Sequence, residues 1–452
     1  MRALRALLLV AAASAGCDWR TFDDLAKKTP VAAIDAPSSY AAGDSFGSIL
    51  LALDPPADGS AAGRFVGTAI PKTAVAVVTL DAAGQPHGTG VTGQALDSLG
   101  DGPITALAAV PGGQKVMLGA PYIDLGDVLL MDQDPPYDIQ PFRHIGEPQY
   151  GVGVGAGNIG AGAAAELVVL SANTLHVYVD GQPTTEITYE STGASDPCPI
   201  DFSTNLPERD RASRAVLVAP LQGGATQIAV GTPAVSGAGH VSIFDVDFSS
   251  NTITCAATLT AGEAHFGRAM TLVDIDGDGT HDRLLIGAPP THAYLYTLPL
   301  SSGQAPAAMA TDMEAGGAFG AAVAALDIDG KPGDEIFVGN PDGSVGGASA
   351  AGRVSIYTGG ALTPLPAAFP NPLAEHEPKA GHGYGSGLIG MTFCPANLAG
   401  PGPDSGVADA GAQAADAGVI VSCTAAQRLP LVGSLSKVFA YFTLKKPDPR
   451  AK

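Results

Sequence analysis

Short runs in which apolar and polar residues alternate recur along the whole chain. Examples are "RAMTLVD" (268–274), "RLLIGAP" (283–289) and "HAYLYTL" (292–298). An alternation with a period of two places successive side chains on opposite faces of a strand, and the Gly, Pro and Asp residues between the runs are typical of turns. The pattern therefore predicts an all-β chain made of many short strands.

Three sequence markers recur in a fixed order and divide the chain into seven units. The first marker is an aromatic residue followed by Gly, with Asp, Asn or Thr eight residues after the aromatic residue. Its full copies start at Phe46, Tyr150, Phe266, Phe319 and Tyr384. Two weaker copies, which end near Pro111 and Pro220, lack the aromatic-Gly pair.

The second and third markers complete each unit. The second is an apolar run with Gly, such as "IGAP" (286–289), and the third is a β-rich run, such as "HVSIF" (240–244). The units repeat after roughly 45–65 residues, a period typical of propellers and other arrays. One unit cannot bury both faces of so small a sheet, whereas units stacked around an axis can, and a closed ring leaves only short, protected edges.

The end of the chain predicts how the ring closes. The last unit stops after its third strand-like run, "KVFAY" (437–441). We expect its missing fourth strand to come from "VAAID" (31–35), so that the two ends of the chain complete one blade. Residues 17–30 would then form a tether before the first strand, and residues 446–452 a C-terminal tail.

The Phe-Gly pair and the Gly-Ala-Pro run resemble the FG-GAP repeat of the integrin α-chain N-terminal propeller and its bacterial relatives. The resemblance covers roughly residues 43–445 and is sharpest in the fifth and sixth units. It implies a seven-bladed β-propeller of four-stranded antiparallel blades, in agreement with the seven units of this chain. The predicted fold is therefore an all-β, seven-bladed propeller over residues 31–445, closed by an N-terminal strand.

The stretch "GDSFG" (43–47) matches G-x-S-x-G, a pattern that can mark the nucleophile of a serine hydrolase. Such a nucleophile lies on a sharp turn between a strand and a helix, whereas "SILLALD" (48–54) continues as a strand. His265 and Ala318 stand in place of Ser45 in later full copies of the marker. We therefore interpret Ser45 as part of the opening strand of unit one and not as a nucleophile.

The stretch "DIDGDGTHD" in unit five is the strongest candidate for a metal site. Acidic residues stand at its positions 1, 3, 5 and 9, namely Asp274, Asp276, Asp278 and Asp282. Odd spacing turns alternate side chains towards one point, and carboxylate and carbonyl oxygens are the ligands that calcium prefers. FG-GAP repeats hold calcium in a similar loop, and this resemblance implies the same four residues and the backbone carbonyl of Thr280 as ligands. The alternative is an Asp/Gly turn that caps itself by hydrogen bonds, but four unneutralised carboxylates would repel one another, which favours Ca²⁺.

Unit six carries a poorer copy of this loop. Asp327 and Asp329 are retained, but Lys331 takes the third position, and either Asp334 or Glu335 must provide the last ligand. The ammonium group of the lysine could replace the ion altogether. We therefore treat Asp327, Asp329 and Asp334 as a weaker candidate site.

The corresponding loop of unit one keeps only Asp54 and Asp58. Two carboxylates are few for a calcium site, so this loop favours a structural turn.

Residues 1–16 have the pattern of a signal peptide, with Arg2 and Arg5 before an apolar run. The stretch "SAGC" resembles a bacterial lipobox, which implies that Cys17 is lipidated, although Ser14 stands where Leu is usual. The alternative is a simple secreted protein. We expect an exported, lipid-anchored protein of the bacterial cell envelope, with no other contact to the membrane.

Four further cysteines remain if Cys17 carries lipid, and they can pair in three ways. Pairing of neighbours in the sequence, which we favour because each bond closes a local loop, joins Cys198 to Cys255 and Cys394 to Cys423. Disulfides persist in an export compartment. The second pair brackets a low-complexity insertion, residues 395–422.

The net charge of −21 argues against binding to nucleic acid, which requires a basic surface. We expect a monomeric, non-enzymatic binding module that presents one face of the ring to a protein or glycan. One alternative is a scaffold subunit of an envelope complex. Another is a propeller hydrolase or lyase, but its axial channel would need converging Asp, Glu, His or Arg residues, where this chain has mostly Ala, Gly and Val.

Overall fold

The structure is a computed structural model of the chain. It describes residues 32–36, 46–56, 60–69, 74–81, 83, 85–91, 102–112, 114–123, 126–143, 146–160, 162, 164–193, 195–202, 216–234, 237–312, 317–328, 332–358, 363–364, 379–393, 427–434 and 437–441. Several predictions lie outside these residues: the signal peptide 1–16, Cys17, the tether, Ser45, Asp58, Asp329, Lys331, Cys394, Cys423, the insertion 395–422 and the tail 446–452.

The chain folds into seven four-stranded antiparallel sheets, the blades of a β-propeller. The N-terminal strand is β1 (Ala32–Asp35). The strands of blade one are β2 (Ile49–Leu53), β3 (Gly63–Ala69), β4 (Ala74–Leu80) and β5 (Pro86–Val91). The strands of blade two are β6 (Ala106–Ala109), β7 (Lys115–Ala120), β8 (Asp127–Asp132) and β9 (Ile139–Arg143). The strands of blade three are β10 (Gly153–Gly157), β11 (Glu166–Leu170), β12 (Thr174–Tyr178) and β13 (Glu186–Glu190).

The remaining blades continue the same pattern. The strands of blade four are β14 (Val216–Pro220), β15 (Thr226–Thr232), β16 (His240–Asp247) and β17 (Thr252–Leu259). The strands of blade five are β18 (Ala269–Val273), β19 (Arg283–Ala288), β20 (His292–Thr297) and β21 (Ala308–Thr311). The strands of blade six are β22 (Val323–Leu326), β23 (Glu335–Asn340), β24 (Arg353–Thr358) and β25 (Thr363–Pro364). Blade seven contains β26 (Gly387–Phe393), β27 (Gln427–Gly433) and β28 (Lys437–Ala440).

The first strands of successive blades contact one another around the whole ring, and the last contact joins β26 to β2. The hydrophobic core is divided in the same way. The described buried apolar residues form seven clusters, and each cluster fills the seam between two neighbouring blades. A single blade therefore has no core of its own, and its apolar faces are buried only by its neighbours. The predicted all-β, seven-bladed propeller is confirmed.

The two strongest sequence markers meet across the seams. Phe319 is fully buried, and Gly320, which follows it, has a φ of 94°, a conformation that glycine adopts without strain. A side chain on Gly287, in the second strand of the preceding blade, would come within 2.0 Å of the Gly320 carbonyl oxygen. The same close approach joins Gly119 to Gly151, Gly231 to Gly267, and Gly339 to Gly385. Both glycines of the repeat are therefore required by one contact between blades.

The N-terminal strand closes the ring. In blade seven, β1 pairs antiparallel with β28, so the strand order is β1-β28-β27-β26. Ile34 is 1% exposed and belongs to the core cluster between blades seven and one. At the edge, the Lys437 Nζ lies 3.0 Å from the Asp35 Oδ1. The prediction that residues near 31–35 supply the missing strand is confirmed.

A disulfide joins Cys198, in the segment after β13, to Cys255 on the outer strand β17 of blade four, with their Cα atoms 5.6 Å apart. It is one of the two predicted pairs, and it links blade three to blade four. The only helical element among the described residues is a 3-10 turn, Val179–Gly181. None of the helical structure in that part of the chain is long and apolar enough to cross a membrane.

Candidate metal centre

The loop between β18 and β19 carries the candidate metal site. One carboxylate oxygen from each of Asp274, Asp276 and Asp278 lies within 4.8 Å of the other two. The loop is held between the first two strands of blade five, which pair from Ala269 to Val273 and from Arg283 to Gly287. The odd spacing of the three aspartates therefore directs their side chains to one place, as expected from the sequence.

The loop folds around the side chain of Asp274. Its Oδ1 accepts a hydrogen bond from the Gly277 N–H at 2.7 Å, and its Oδ2 accepts one from the Gly279 N–H at 2.8 Å. Both glycines have positive φ angles, 73° and 87°, which allow the amides to turn towards one point. The Asp278 Oδ1 accepts a further bond from the Thr280 N–H at 2.7 Å. These bonds shape the loop around the Asp274 carboxylate.

The electrostatic environment keeps Asp274 ionised. Burial alone would raise its pKa, but hydrogen bonds from the Gly279 and Gly277 amides, with smaller contributions from Asp276 and the Asp278 amide, lower the pKa below its usual value. The three neighbouring carboxylates concentrate negative charge in the loop. A divalent cation that prefers oxygen ligands would neutralise this charge.

Asp282, the fourth predicted carboxylate, ends the loop. Its N–H donates to the Val273 carbonyl oxygen and its carbonyl oxygen accepts from the Leu298 N–H, so its backbone is tied to blade five. Its Oδ1 is buried and accepts no hydrogen bond, and the nearest cation is the Arg283 Nη1 at 3.5 Å. It is not within the 4.8 Å group of the other three aspartates. This oxygen is therefore within salt-bridge distance of the Arg283 guanidinium but accepts no hydrogen bond.

The equivalent loops of blades three and six are closed differently. Glu166 and Glu335 are the first residues of β11 and β23, the position that Arg283 occupies in blade five. The Glu166 Oε2 accepts from the Ile159 N–H at 2.7 Å, and the Glu335 Oε2 accepts from the Ile328 N–H at 2.9 Å. Each glutamate therefore bonds its own loop. In blade five, Arg283 takes this position and Asp282 precedes it, and this difference distinguishes the loop of blade five.

Asp334, which belongs to the weaker candidate site in blade six, forms hydrogen bonds with a residue of blade five. The Asp334 Oδ2 accepts a hydrogen bond from the Asp274 N–H at 2.9 Å, and the Asp334 N–H donates to the Asp274 carbonyl oxygen at 2.7 Å. Asp327 lies at the start of the blade-six loop, directly after β22, and lines the space next to this pair. The sequence alone did not indicate that Asp334 contacts another blade.

In blade one, the guanidinium group of Arg64 bonds the start of the loop that the sequence predicts to be a structural turn. The Arg64 Nε donates to the Asp54 carbonyl oxygen at 3.2 Å. The same side chain is 5% exposed and donates to the Asp134 Oδ1 at 2.6 Å and to the Gln133 carbonyl oxygen at 2.7 Å. This loop is thus held by a protein cation that links blades one and two.

A cavity of about 720 Å³ lies between the loops of blades five and six. Its lining combines acidic and aliphatic side chains. It includes Asp274, Asp327, Asp334, His281, Leu272 and Leu326. The separate axial channel, of about 420 Å³, is lined by the first strands of all seven blades. None of the described residues that line this channel is Asp, Glu, His, Lys or Arg.

Sequence reasoning missed a polar cluster between blades two and three. His176 is 1% exposed, and its Nδ1 lies 2.6 Å from the Glu186 Oε1 while its Nε2 lies 3.1 Å from the Glu147 Oε2. The hydroxyl of Tyr178 donates to the same Glu186 oxygen at 3.1 Å, and Arg143 pairs with the other at 2.9 Å. The only signal for this cluster in the sequence is the Tyr in place of Phe in the first marker of unit three.

Comparison of the chain with models of known protein families gives no match, and no curated protein sequence is similar to it.

Proposed function

We propose that this chain is a calcium-stabilised, non-enzymatic propeller of the FG-GAP type that binds a protein or glycan at the bacterial cell envelope. The observation that carries the proposal is the loop of blade five, where three carboxylates converge and a buried oxygen of Asp282 lacks a donor. The five full copies of the aromatic-Gly marker and the seven-bladed fold support the resemblance to FG-GAP repeats.

Asp274, Asp276 and Asp278 would hold the Ca²⁺ ion, with Asp282 and the Thr280 carbonyl as further ligands. All of these groups offer hard oxygen ligands, which calcium prefers to nitrogen or sulfur. When bound, the ion supplies positive charge that neutralises the loop. Its role is structural, because it stabilises the loop that borders the cavity between blades five and six.

The cavity between blades five and six is the proposed binding surface. It combines carboxylates with aliphatic side chains, and it lies beside a loop whose shape the ion would fix. The axial channel offers no described titratable side chain, which disfavours the alternative of a propeller hydrolase or lyase. A scaffold subunit would differ from a binding module by holding one partner in a stable, stoichiometric complex.

Thermal unfolding with and without calcium tests the metal. We expect the midpoint of the wild-type chain to fall when calcium is chelated, because an ion that binds only the folded state stabilises it. The variant with both Asp276→Ala and Asp278→Ala should show no such fall. The matched control combines Asp138→Ala and Glu190→Ala, which remove the same charge from exposed positions in blades two and three. An unchanged wild-type midpoint on chelation would exclude calcium as a stabilising ligand.

The lipid anchor has its own test. Substitution Cys17→Ala should move the protein from the membrane fraction to the soluble fraction and abolish the incorporation of a labelled fatty acid. Wild-type protein that carries no label would support the alternative, a simple secreted protein.

A further inference from the structure

The two Asp loops of blades five and six are joined by a reciprocal pair of hydrogen bonds. Asp334 of blade six accepts the Asp274 N–H through its carboxylate at 2.9 Å and donates its own N–H to the Asp274 carbonyl oxygen at 2.7 Å. Asp274 is the first ligand of the proposed calcium site. Both backbone polar groups of this ligand are therefore held by one residue of the neighbouring blade, 60 positions further along the chain.

The backbones of the two loops are also in direct contact. A side chain on Gly277 would come within 2.5 Å of the Gly333 nitrogen and 2.6 Å of the Pro332 Cα. A side chain on Gly333 would come within 2.2 Å of the Ile275 carbonyl oxygen. Since the described parts of the two loops meet backbone to backbone at Gly277 and Gly333, a displacement of one loop at these points would move the other.

We infer that Asp334 is a positioning residue for the calcium site of blade five, and that ion binding there locks the seam between blades five and six. This inference rests on the proposed function, since it requires that calcium binds the blade-five loop. The carboxylate of Asp334 holds the backbone at Asp274, while the Gly277 and Gly279 amides orient the Asp274 side chain towards the other ligands. Removal of the Asp334 carboxylate leaves the Asp274 N–H without this acceptor, while the bond from the Asp334 N–H to the Asp274 carbonyl oxygen remains, so the first ligand is held less firmly and binding weakens.

The coupling acts in both directions. If Asp334 favours calcium binding, calcium binding must favour the Asp334–Asp274 pair by the same factor, because the two equilibria are linked. Asp274 and Asp334 both line the cavity between blades five and six, so the ion also fixes two walls of the proposed binding surface. Asp334, predicted from the sequence as a ligand of the weaker site in blade six, thus also has a role at the site of blade five.

Calcium titration of the full-length chain by calorimetry tests the role of Asp334 with three variants. We expect Asp334→Ala to weaken calcium binding about tenfold or more, as is typical for loss of a hydrogen bond to a charged group. Asp334→Asn should stay within about threefold of wild type, because its amide oxygen can still accept the Asp274 N–H. Asp138→Ala, which removes the same charge from an exposed position in blade two, should also stay within about threefold. Equal weakening in all three variants would indicate a general charge effect and would overturn the inference.

Hydrogen exchange provides a second readout, and its main measurement is made on the wild-type chain. Calcium should slow exchange at the Asp334 N–H of the wild-type chain, and it should not do so when Asp276→Ala and Asp278→Ala are combined. One outcome is that the wild-type chain binds calcium in the blade-five loop, while calcium leaves exchange at the Asp334 N–H unchanged and Asp334→Ala binds calcium as tightly as wild type. In that case the inference fails and the proposed calcium site stands. If the wild-type chain binds no calcium, both fail.

Discussion

The phenolic oxygens of Tyr150 and Tyr178 lie 2.7 Å apart in the buried seam between blades two and three. Tyr150 is the aromatic residue of the first marker of unit three, and Tyr178 ends the third strand of the same blade. The arrangement recurs in the seam between blades six and seven, where the oxygens of Tyr384 and Tyr441 lie 2.5 Å apart. In both seams, tyrosine replaces the phenylalanine of the marker where a second tyrosine provides the hydrogen-bond partner.

The two tyrosines of this pair should respond differently to removal of the hydroxyl. In Tyr150→Phe, the Tyr178 hydroxyl keeps its bond to Glu186, so we expect a loss of about 1 kcal/mol in the free energy of unfolding. In Tyr178→Phe, the Tyr150 hydroxyl is left in a buried seam without its partner, which should cost up to about 3 kcal/mol. Urea unfolding measures both values. The double variant should be more stable than Tyr178→Phe alone, and a lower stability of the double variant would contradict this account.

Closure of the ring should depend on one buried side chain of the N-terminal strand. Ile34→Ala removes three carbon atoms from the core between blades seven and one, and we expect it to lower the free energy of unfolding by about 2–4 kcal/mol. The matched control is Ala33→Ser, since Ala33 points to solvent from the same strand. Urea unfolding of both variants measures the difference. Equal stability of the two would mean that β1 does not close the ring in solution.

The cysteine pairing can be read directly by peptide mapping of the unreduced chain. We expect one linked peptide pair that contains Cys198 and Cys255, and a second that contains Cys394 and Cys423. Because the first bond joins two blades, replacement of both of its cysteines by Ser should lower the free energy of unfolding by about 2–4 kcal/mol. A linked pair that contains Cys198 and Cys394 would contradict the assignment.

Most of the fold could be predicted because each unit repeats the same physical requirement. Gly287 and Gly320 stand in different sequence markers, yet they are both needed for one backbone contact between blades, and the requirement recurs at other seams. The same glycines therefore recur in the sequence of most units, although the two weaker copies of the first marker lack the aromatic-Gly pair. The closing strand was predictable for a related reason, since a blade that ends after its third strand leaves an edge for another segment to cover.

The parts of the site that could not be predicted depend on contacts between units. The spacing of the aspartates indicated the blade-five loop, but it could not show that Asp334 bonds Asp274 and not its own loop. Nor could it show that Asp282 would lack a hydrogen-bond donor, because this depends on where the loop ends in space. His176 and its two carboxylates come from different strands and a connecting loop, so they form no local pattern.

The lowered pKa of Asp274 predicts a specific dependence of stability on pH in calcium-free buffer. Burial tends to raise this pKa, but the hydrogen bonds from Gly279 and Gly277 lower it below the unfolded value of 3.8. A group whose pKa is lower in the folded state stabilises the fold above the unfolded pKa and loses that contribution as the pH falls through the folded pKa. We therefore expect Asp274→Asn to be less stable than wild type near neutral pH, with a difference that narrows as the pH falls below the unfolded pKa of 3.8. Urea unfolding at a series of pH values measures this difference in the free energy of unfolding. Asp138→Asn is the control for the change in net charge. A difference between Asp274→Asn and wild type that stays constant from neutral to acidic pH would mean that the loop amides do not stabilise the ionised form of Asp274.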